Sequence, residues 1–140
     1  MPKLYDNLGL RFQYPDNWTL DDEGATEPGD SVAVFSPGGA FWLVTQHDGP
    51  EPQDLADEAL RAMEQEYEDL ESEPVEEWVA GRQVVGYDLN FWYLELTSTS
   101  WIRCAATTHG TFVVMCQSED REFEEVAPVF QAITSSLLAD

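Results

Sequence analysis

A long alternation of apolar side chains between positions 83 and about 96 restricts the folds that this chain can adopt. Its apolar members, which fall on one face of an extended segment, are Val85, Tyr87, Leu89, Phe91 and Tyr93. A period of two residues is typical of a strand with one buried face. Residues 75–79 precede it, and Ala80-Gly81-Arg82 between them is a turn signal. We therefore predict a central antiparallel sheet that contains this strand.

The other predicted strands carry shorter versions of the same pattern. Leu10, Phe12 and Tyr14 share one face of a strand, and Pro15-Asp16-Asn17 supplies turn chemistry before the apolar anchor Trp18. Residues 21–30 are a polar loop. Further strands are predicted at 31–35, 40–47, 101–107 and 111–117, with turns at 36–39, 97–100 and 109–110.

Two segments change to the helical period. An apolar stripe predicts a helix over residues 53–70, with Pro52 near its first turn; the stripe is Leu55, Ala56, Ala59, Leu60, Met63, Tyr67 and Leu70. A second stripe predicts the C-terminal helix, through Phe123, Val126, Ala127, Phe130, Ile133 and Leu137. Ser118 is its predicted N-terminal cap. Pro128 either kinks this helix or begins a second one.

The chain has two cysteines, Cys104 and Cys116, on consecutive predicted strands. We predict two reduced core thiols, because two cysteines rule out a disulfide-dense scaffold. A two-residue turn at His109-Gly110 places Cys104 opposite Met115, and a three-residue turn places it opposite Cys116. No Cys-x-x-Cys pair accompanies His109, so no metal site is predicted.

Charge is the other strong feature. Twenty-eight Asp and Glu residues against six Lys and Arg give a formal net charge of −22. The charge disfavours nucleic acid and anionic membrane surfaces as partners, because both require clustered basic side chains, and we expect no nucleic acid partner. The acidity fits either adaptation to saline surroundings, with acids on every exposed face, or a partner with a basic face; we expect the dispersed arrangement.

No apolar run approaches a membrane span and no signal region opens the chain, so we expect a cytoplasmic protein without membrane insertion.

Several segments together resemble the PsbP-like superfamily, including its small bacterial DcrB-like members. They are GLRFQYPDNW, the acidic helix, VAGRQVVGYDLNF, HGTFVVMCQSE and the final FQAITSSL. The resemblance implies one α+β domain over residues 1–140, in which an antiparallel sheet is sandwiched between helices (an α/β/α sandwich). Most relatives with this fold bind other proteins: a photosystem II subunit, a nuclear-import factor that binds the GTPase Ran, and chaperones of secreted effectors.

We therefore predict a non-enzymatic soluble domain that binds protein as a chaperone or adaptor, as a monomer or weak homodimer, without cofactor or metal. The candidate partner-binding residues are Asp57, Glu64, Glu68, Glu71, Trp42 and Trp92. Tryptophans on a bare part of the sheet would line an apolar groove. The alternative is a small-molecule-binding or hydrolytic enzyme that uses His47 or His109 with a nearby carboxylate. Asp88 needs a partner if it is buried, and Arg103 on the next strand is the candidate.

Overall fold

The computed structural model describes residues 1–139, with the backbone alone for Tyr93. The strands are β1 (Lys3–Asn7), β2 (Leu10–Tyr14), β3 (Thr19–Asp21), β4 (Val32–Phe35), β5 (Phe41–His47), β6 (Glu71–Val79), β7 (Arg82–Tyr93), β8 (Leu96–Thr107) and β9 (Gly110–Glu119). The helices are α1 (Pro52–Glu66) and α2 (Asp120–Leu138). Seven strands form an antiparallel sheet in the order β3-β4-β5-β9-β8-β7-β6, and β1 and β2 form a separate hairpin.

Each face of the large sheet has its own hydrophobic core. On one face, α1 packs Leu55, Ala56 and Met63 against β7, β8 and β9. On the other face, α2 and the β1–β2 hairpin cover β4, β5, β8 and β9, with Phe12 and Phe130 fully buried. The predicted α+β architecture, a sheet between helices, is therefore confirmed. In the described part of the chain, neither helix is both long and apolar enough to cross a bilayer.

Strand β1 was not predicted, because its burial pattern is not that of a half-buried strand. Tyr5 is its one buried side chain, so no alternation marks the segment. Leu8 and Gly9, both with positive φ, form the two-residue turn that joins β1 to β2. The predicted face of β2 is confirmed, since Leu10, Phe12 and Tyr14 are buried.

The turn predicted at residues 97–100 is wrong. β7 ends at Tyr93, the turn is Leu94-Glu95, and residues 97–100 pair within β8. Ser98 and Ser100 are buried there, and the Ser100 hydroxyl donates to the Cys116 carbonyl. The Ser100 hydroxyl is satisfied inside the sheet, so small polar residues do not mark a loop here.

The cysteine register matches neither predicted alternative. The loop is Thr108-His109, and Cys104 pairs with Val113 while Cys116 pairs with Trp101. The two thiols consequently belong to the cores on opposite faces of the sheet, both free and buried. Burial raises the pKa of Cys104 to about 12 and the pKa of Cys116 further still, which keeps both protonated.

Helix α2 is continuous through Pro128, so the helix neither ends nor restarts there. Ser118 is not the cap: it is the penultimate residue of β9, and the N-cap position is Glu119. Phe130 and Ile133 dock α2 as predicted, and Phe130 contacts the rings of Trp18 and Trp101.

Candidate functional site

Trp42 lies in the core and not on a surface. It is 0% exposed, its ring packs against Phe12 at 4.8 Å, and its indole N–H donates to the Thr134 hydroxyl at 2.9 Å. The β1–β2 hairpin and α2 cover the face on which it lies. The prediction that Trp42 lines a partner-binding groove is therefore corrected.

The Asp57 side chain makes hydrogen bonds within the fold. Its carboxylate accepts hydrogen bonds from the Tyr87 hydroxyl at 2.6 Å and from the Gln53 amide at 2.9 Å. The bond from Tyr87 joins α1 to β7. These hydrogen bonds hold the pKa of Asp57 below its usual range, and the Tyr87 pKa is raised by the same contact. Glu64, Glu68 and Glu71 are exposed, so of the four predicted acids these three remain accessible.

Asp88 has the predicted partner. The Arg103 guanidinium, 8% exposed, donates to Asp88 at 2.7 Å and to Glu77 at 3.0 Å. It also bonds two backbone carbonyls and lies 5.0 Å from the Trp101 ring centroid. These contacts tie β6, β7 and β8 together, and Glu77 and Arg103 also line an open cleft of about 330 Å³ beside α2.

His47 ends β5 and pairs in register with Thr111, next to the β8–β9 turn that contains His109. His47 Nε2 lies 3.1 Å from the Thr45 hydroxyl. His109 is exposed and lines an open cleft of about 220 Å³ with Asp6, Arg11 and Ser136. The Ser136 hydroxyl donates to the Ile133 carbonyl, and Asp6 pairs with Arg11. Within residues 1–139 no group of three or more His, Cys, Asp or Glu side chains is arranged to hold a metal ion.

The β7–β8 hairpin ends in three exposed apolar side chains. Trp92 is 64% exposed, Leu94 77% and Leu96 40%. We name these three residues the apolar tip. By strand alternation Trp92 lies on the face of the hairpin toward α2 and Leu96 on the face toward α1, with Leu94 in the turn between them. Water contact at large apolar side chains is unfavourable, and exposed apolar groups at one end of a fold are typical of interaction sites.

The backbone of the tip is strained. Leu94 and Glu95 occupy the two turn positions with φ of 52° and 65°. The other two hairpin turns with this geometry, Leu8-Gly9 and Ala80-Gly81, have glycine at the second position. Only glycine adopts such φ values without steric cost, and Asn-Gly is the pair that this turn type favours. The turn therefore carries Leu94 and Glu95 at two positions where asparagine and glycine would cost less backbone strain.

Five acidic residues lie at the same end of the sheet as the apolar tip, and we call them the acidic rim; they are Glu68, Asp69, Glu71, Glu95 and Asp120. Tyr67 stacks on Phe91 at 4.2 Å, which brings the segment after α1 beside the hairpin. Glu71 pairs in register with Asn90, and Asp120 accepts the Thr99 hydroxyl at 2.7 Å. The end of α1, the start of β6 and the start of α2 therefore meet at one end of the sheet.

Of the apolar tip, the sequence prediction contained Trp92 alone. The sequence places Leu94 and Leu96 in a strand, because the apolar run that ends β7 continues through Leu94 without a glycine or proline to mark the turn. The signal that could have located the apolar tip is Leu94-Glu95-Leu96, in which an acidic residue interrupts the apolar run.

No protein-family model and no curated protein sequence matches this chain. Solved structures do match. Cyanobacterial PsbP (CyanoP) from Synechocystis sp. PCC 6803 has a TM-score of 0.62 at 15% identity, over 96% of this chain and 90% of its own. PA94 of Pseudomonas aeruginosa, a protein of unknown function described as a candidate regulator, has a TM-score of 0.63 at 12% identity, over 97% and 95%.

LpqN, involved in cell envelope biogenesis of Mycobacterium tuberculosis, has a TM-score of 0.53 at 14% identity, over 95% of this chain and 86% of its own. Identities this low establish the fold alone. The chain has a PsbP-like fold, as the sequence predicted.

Proposed function

We propose that this protein is a non-enzymatic protein-binding module and that the apolar tip, with its acidic rim, is the docking surface. The partner presents an apolar groove edged by basic side chains. The proposal depends above all on the exposure of Trp92, Leu94 and Leu96 on a strained hairpin. Large apolar side chains anchor the centres of protein interfaces, and opposite charge at the edge steers the approach.

The contacts elsewhere favour binding over catalysis. The buried Arg103 is fully engaged with carboxylates and carbonyls, and both thiols are protonated in the cores. A hydroxyl that donates to a backbone carbonyl, like that of Ser136, is not activated as a nucleophile.

Affinity capture from the native cell with the intact chain tests the proposal. Trp92→Ala and Leu94→Asn each remove one apolar anchor, and asparagine tolerates the positive φ at position 94. We expect each to weaken capture of a specific protein at least about tenfold, as loss of an interface anchor does. Leu4→Asn is the matched control, because Leu4 is also exposed, at 49%, in the separate β1–β2 hairpin.

Captured proteins count only when the wild type and Leu4→Asn retain them and both tip variants lose them. Circular dichroism and thermal melts confirm that all four proteins are folded. Capture that is equal for tip and control variants, or turnover of a substrate that depends on His47 or His109, would overturn the proposal.

A further inference from the structure

The second half of α2 carries no charge. Residues 126–139 contain no Asp, Glu, Lys or Arg, although the whole chain has a formal net charge of −22. The first half of α2 and the outer face of α1 carry the carboxylates that water-exposed helices usually have. Charged residues are depleted at the centres of protein interfaces, so this exception requires a reason.

One side of this neutral segment faces outward, and the other packs against the sheet. Pro128, Gln131 and Ala132 are exposed, and Ser135 and Ser136 are half-buried. We call the outward face of α2 from Pro128 to Ser136 the neutral ridge. Alanine and serine are small, so a second helix can approach it closely.

A cleft lies on each side of the neutral ridge. One, of about 380 Å³, lies between α2 and strand β2 and includes Pro2, Gln13 and Val129. The other, of about 330 Å³, lies between α2 and the β6–β7 turn and includes Trp78, which is 73% exposed. One carboxylate lines each cleft: Asp16, 3.5 Å from the terminal amine, and Glu77, which shares Arg103 with Asp88.

We propose that the neutral ridge is the contact surface for a second copy of this chain, related by a two-fold axis. A ridge between two clefts is self-complementary, because each copy can place its ridge in a cleft of the other. A basic partner is drawn to the acidic faces and not to this one. A second copy is as acidic as the chain itself, so it can approach only where carboxylates are absent or paired. The neutral ridge has no carboxylate of its own, so it is the surface that a second copy can contact.

Light scattering and sedimentation of the full chain over a range of concentrations test the dimer. Two copies that each carry −22 repel, and salt weakens that repulsion. The Debye length falls from about 10 Å at about 0.1 M to about 3 Å at about 1 M salt, so the dissociation constant should fall across this range. Ala132→Glu places two new like charges at the contact and should raise the dissociation constant about tenfold or more.

Ala62→Glu is the matched control, since Ala62 is an exposed alanine on the other helix and the variant has the same total charge. It should dimerise like the wild type. A wild type that stays monomeric at high concentration in about 1 M salt, or a dimer that Ala132→Glu and Ala62→Glu affect equally, would overturn the proposal. The neutral ridge would then serve a different partner. The apolar tip is unchanged in both variants. Failure of the dimer proposal therefore does not affect the capture experiment, which tests the proposed function separately.

Discussion

Among single residues, the contact between Tyr87 and Asp57 makes stability depend on pH. The pKa of Asp57 is lowered in the fold, so its contribution is present above the unfolded value near 4 and is lost as the pH falls through the folded pKa. The Tyr87 pKa is raised, so its contribution is present below about 10 and is lost as the pH rises through the folded value.

Tyr87→Phe removes this hydrogen bond and keeps the ring. We expect it to lower the free energy of unfolding by about 0.5–1.5 kcal/mol at pH near 7. The difference should vanish once the pH is below the folded pKa of Asp57. Urea unfolding of both proteins from neutral to acid pH measures it, and a difference that persists unchanged into strong acid would contradict the assignment.

Phe130 tests the docking of α2. It is 1% exposed and lies at 6.0 Å between centroids from both Trp18 and Trp101. Phe130→Ala should cost about 3–5 kcal/mol, through lost burial and the cavity that remains. Chemical denaturation measures this loss. A value under about 1 kcal/mol would show that α2 does not pack through this ring.

At the residue scale, the sequence predicts apolar character better than exposure. Trp42 and Trp92 both lie on the face of the sheet toward α2, yet one is fully buried and the other 64% exposed. The difference arises because Trp42 lies within β5 under α2 and the β1–β2 hairpin, whereas Trp92 lies one residue from the end of β7, beside the β7–β8 turn. Strand alternation carries no information on how far a distant helix extends over the sheet.

At the scale of elements, the strained β7–β8 turn predicts a conflict between stability and binding. Replacing Leu94-Glu95 by Asn-Gly fits both positive φ values and should raise the free energy of unfolding by about 0.5–1 kcal/mol. It also removes one anchor of the apolar tip and should weaken partner capture. Thermal melts and capture on the same protein measure both. Lower stability in the replaced hairpin would argue against the strain.

The outer edge of β6 is closed to strand addition, which leaves the apolar tip as the better docking element. Val79 and Arg82 flank a two-residue turn and form a hydrogen-bonded pair, so the residues of β6 that bond to β7 alternate from Val79. Pro74 falls in the other set, whose backbone points outward, and it has no N–H to donate. Proline and charged side chains on an exposed edge prevent pairing with another chain.

Elements with a clear period were predictable, and those without one were not. The stripe of α1 and the alternation in β2 and β7 are set by one buried face, so their elements were found. β1 buries one side chain, and its position depends on packing against α2 through β2. The β7–β8 turn was missed because Leu94 and Glu95 are not turn-forming residues.

For the whole molecule, the two proposed surfaces respond to salt in opposite directions. Docking at the acidic rim depends on attraction between unlike charges, so salt should weaken it. Contact through the neutral ridge opposes repulsion between like charges, so salt should strengthen it. A titration that follows capture and dimerisation in the same buffers separates the two surfaces without any substitution.

The distribution of charge also predicts how the stability of the monomer responds to salt. Exposed carboxylates lie on the loop at residues 21–30, on α1, on β6 and on the first half of α2, but the neutral ridge has none, so acids do not cover every exposed face as the dispersed arrangement requires. Two like charges about 6 Å apart in water repel by about 0.7 kcal/mol, and salt suppresses most of this. The melting temperature should therefore rise between about 0.1 M and about 1 M salt.

Glu58→Gln relieves the repulsion between Asp54 and Glu58, one turn apart on α1, so its melting temperature should rise less with salt than that of the wild type. Dimer formation could also raise the melting temperature with salt. The same salt series is therefore measured on Ala132→Glu at low protein concentration, where the dimer does not contribute. A melting temperature that does not change with salt would mean that the acids do not destabilise the fold, and adaptation to saline surroundings would then not explain them.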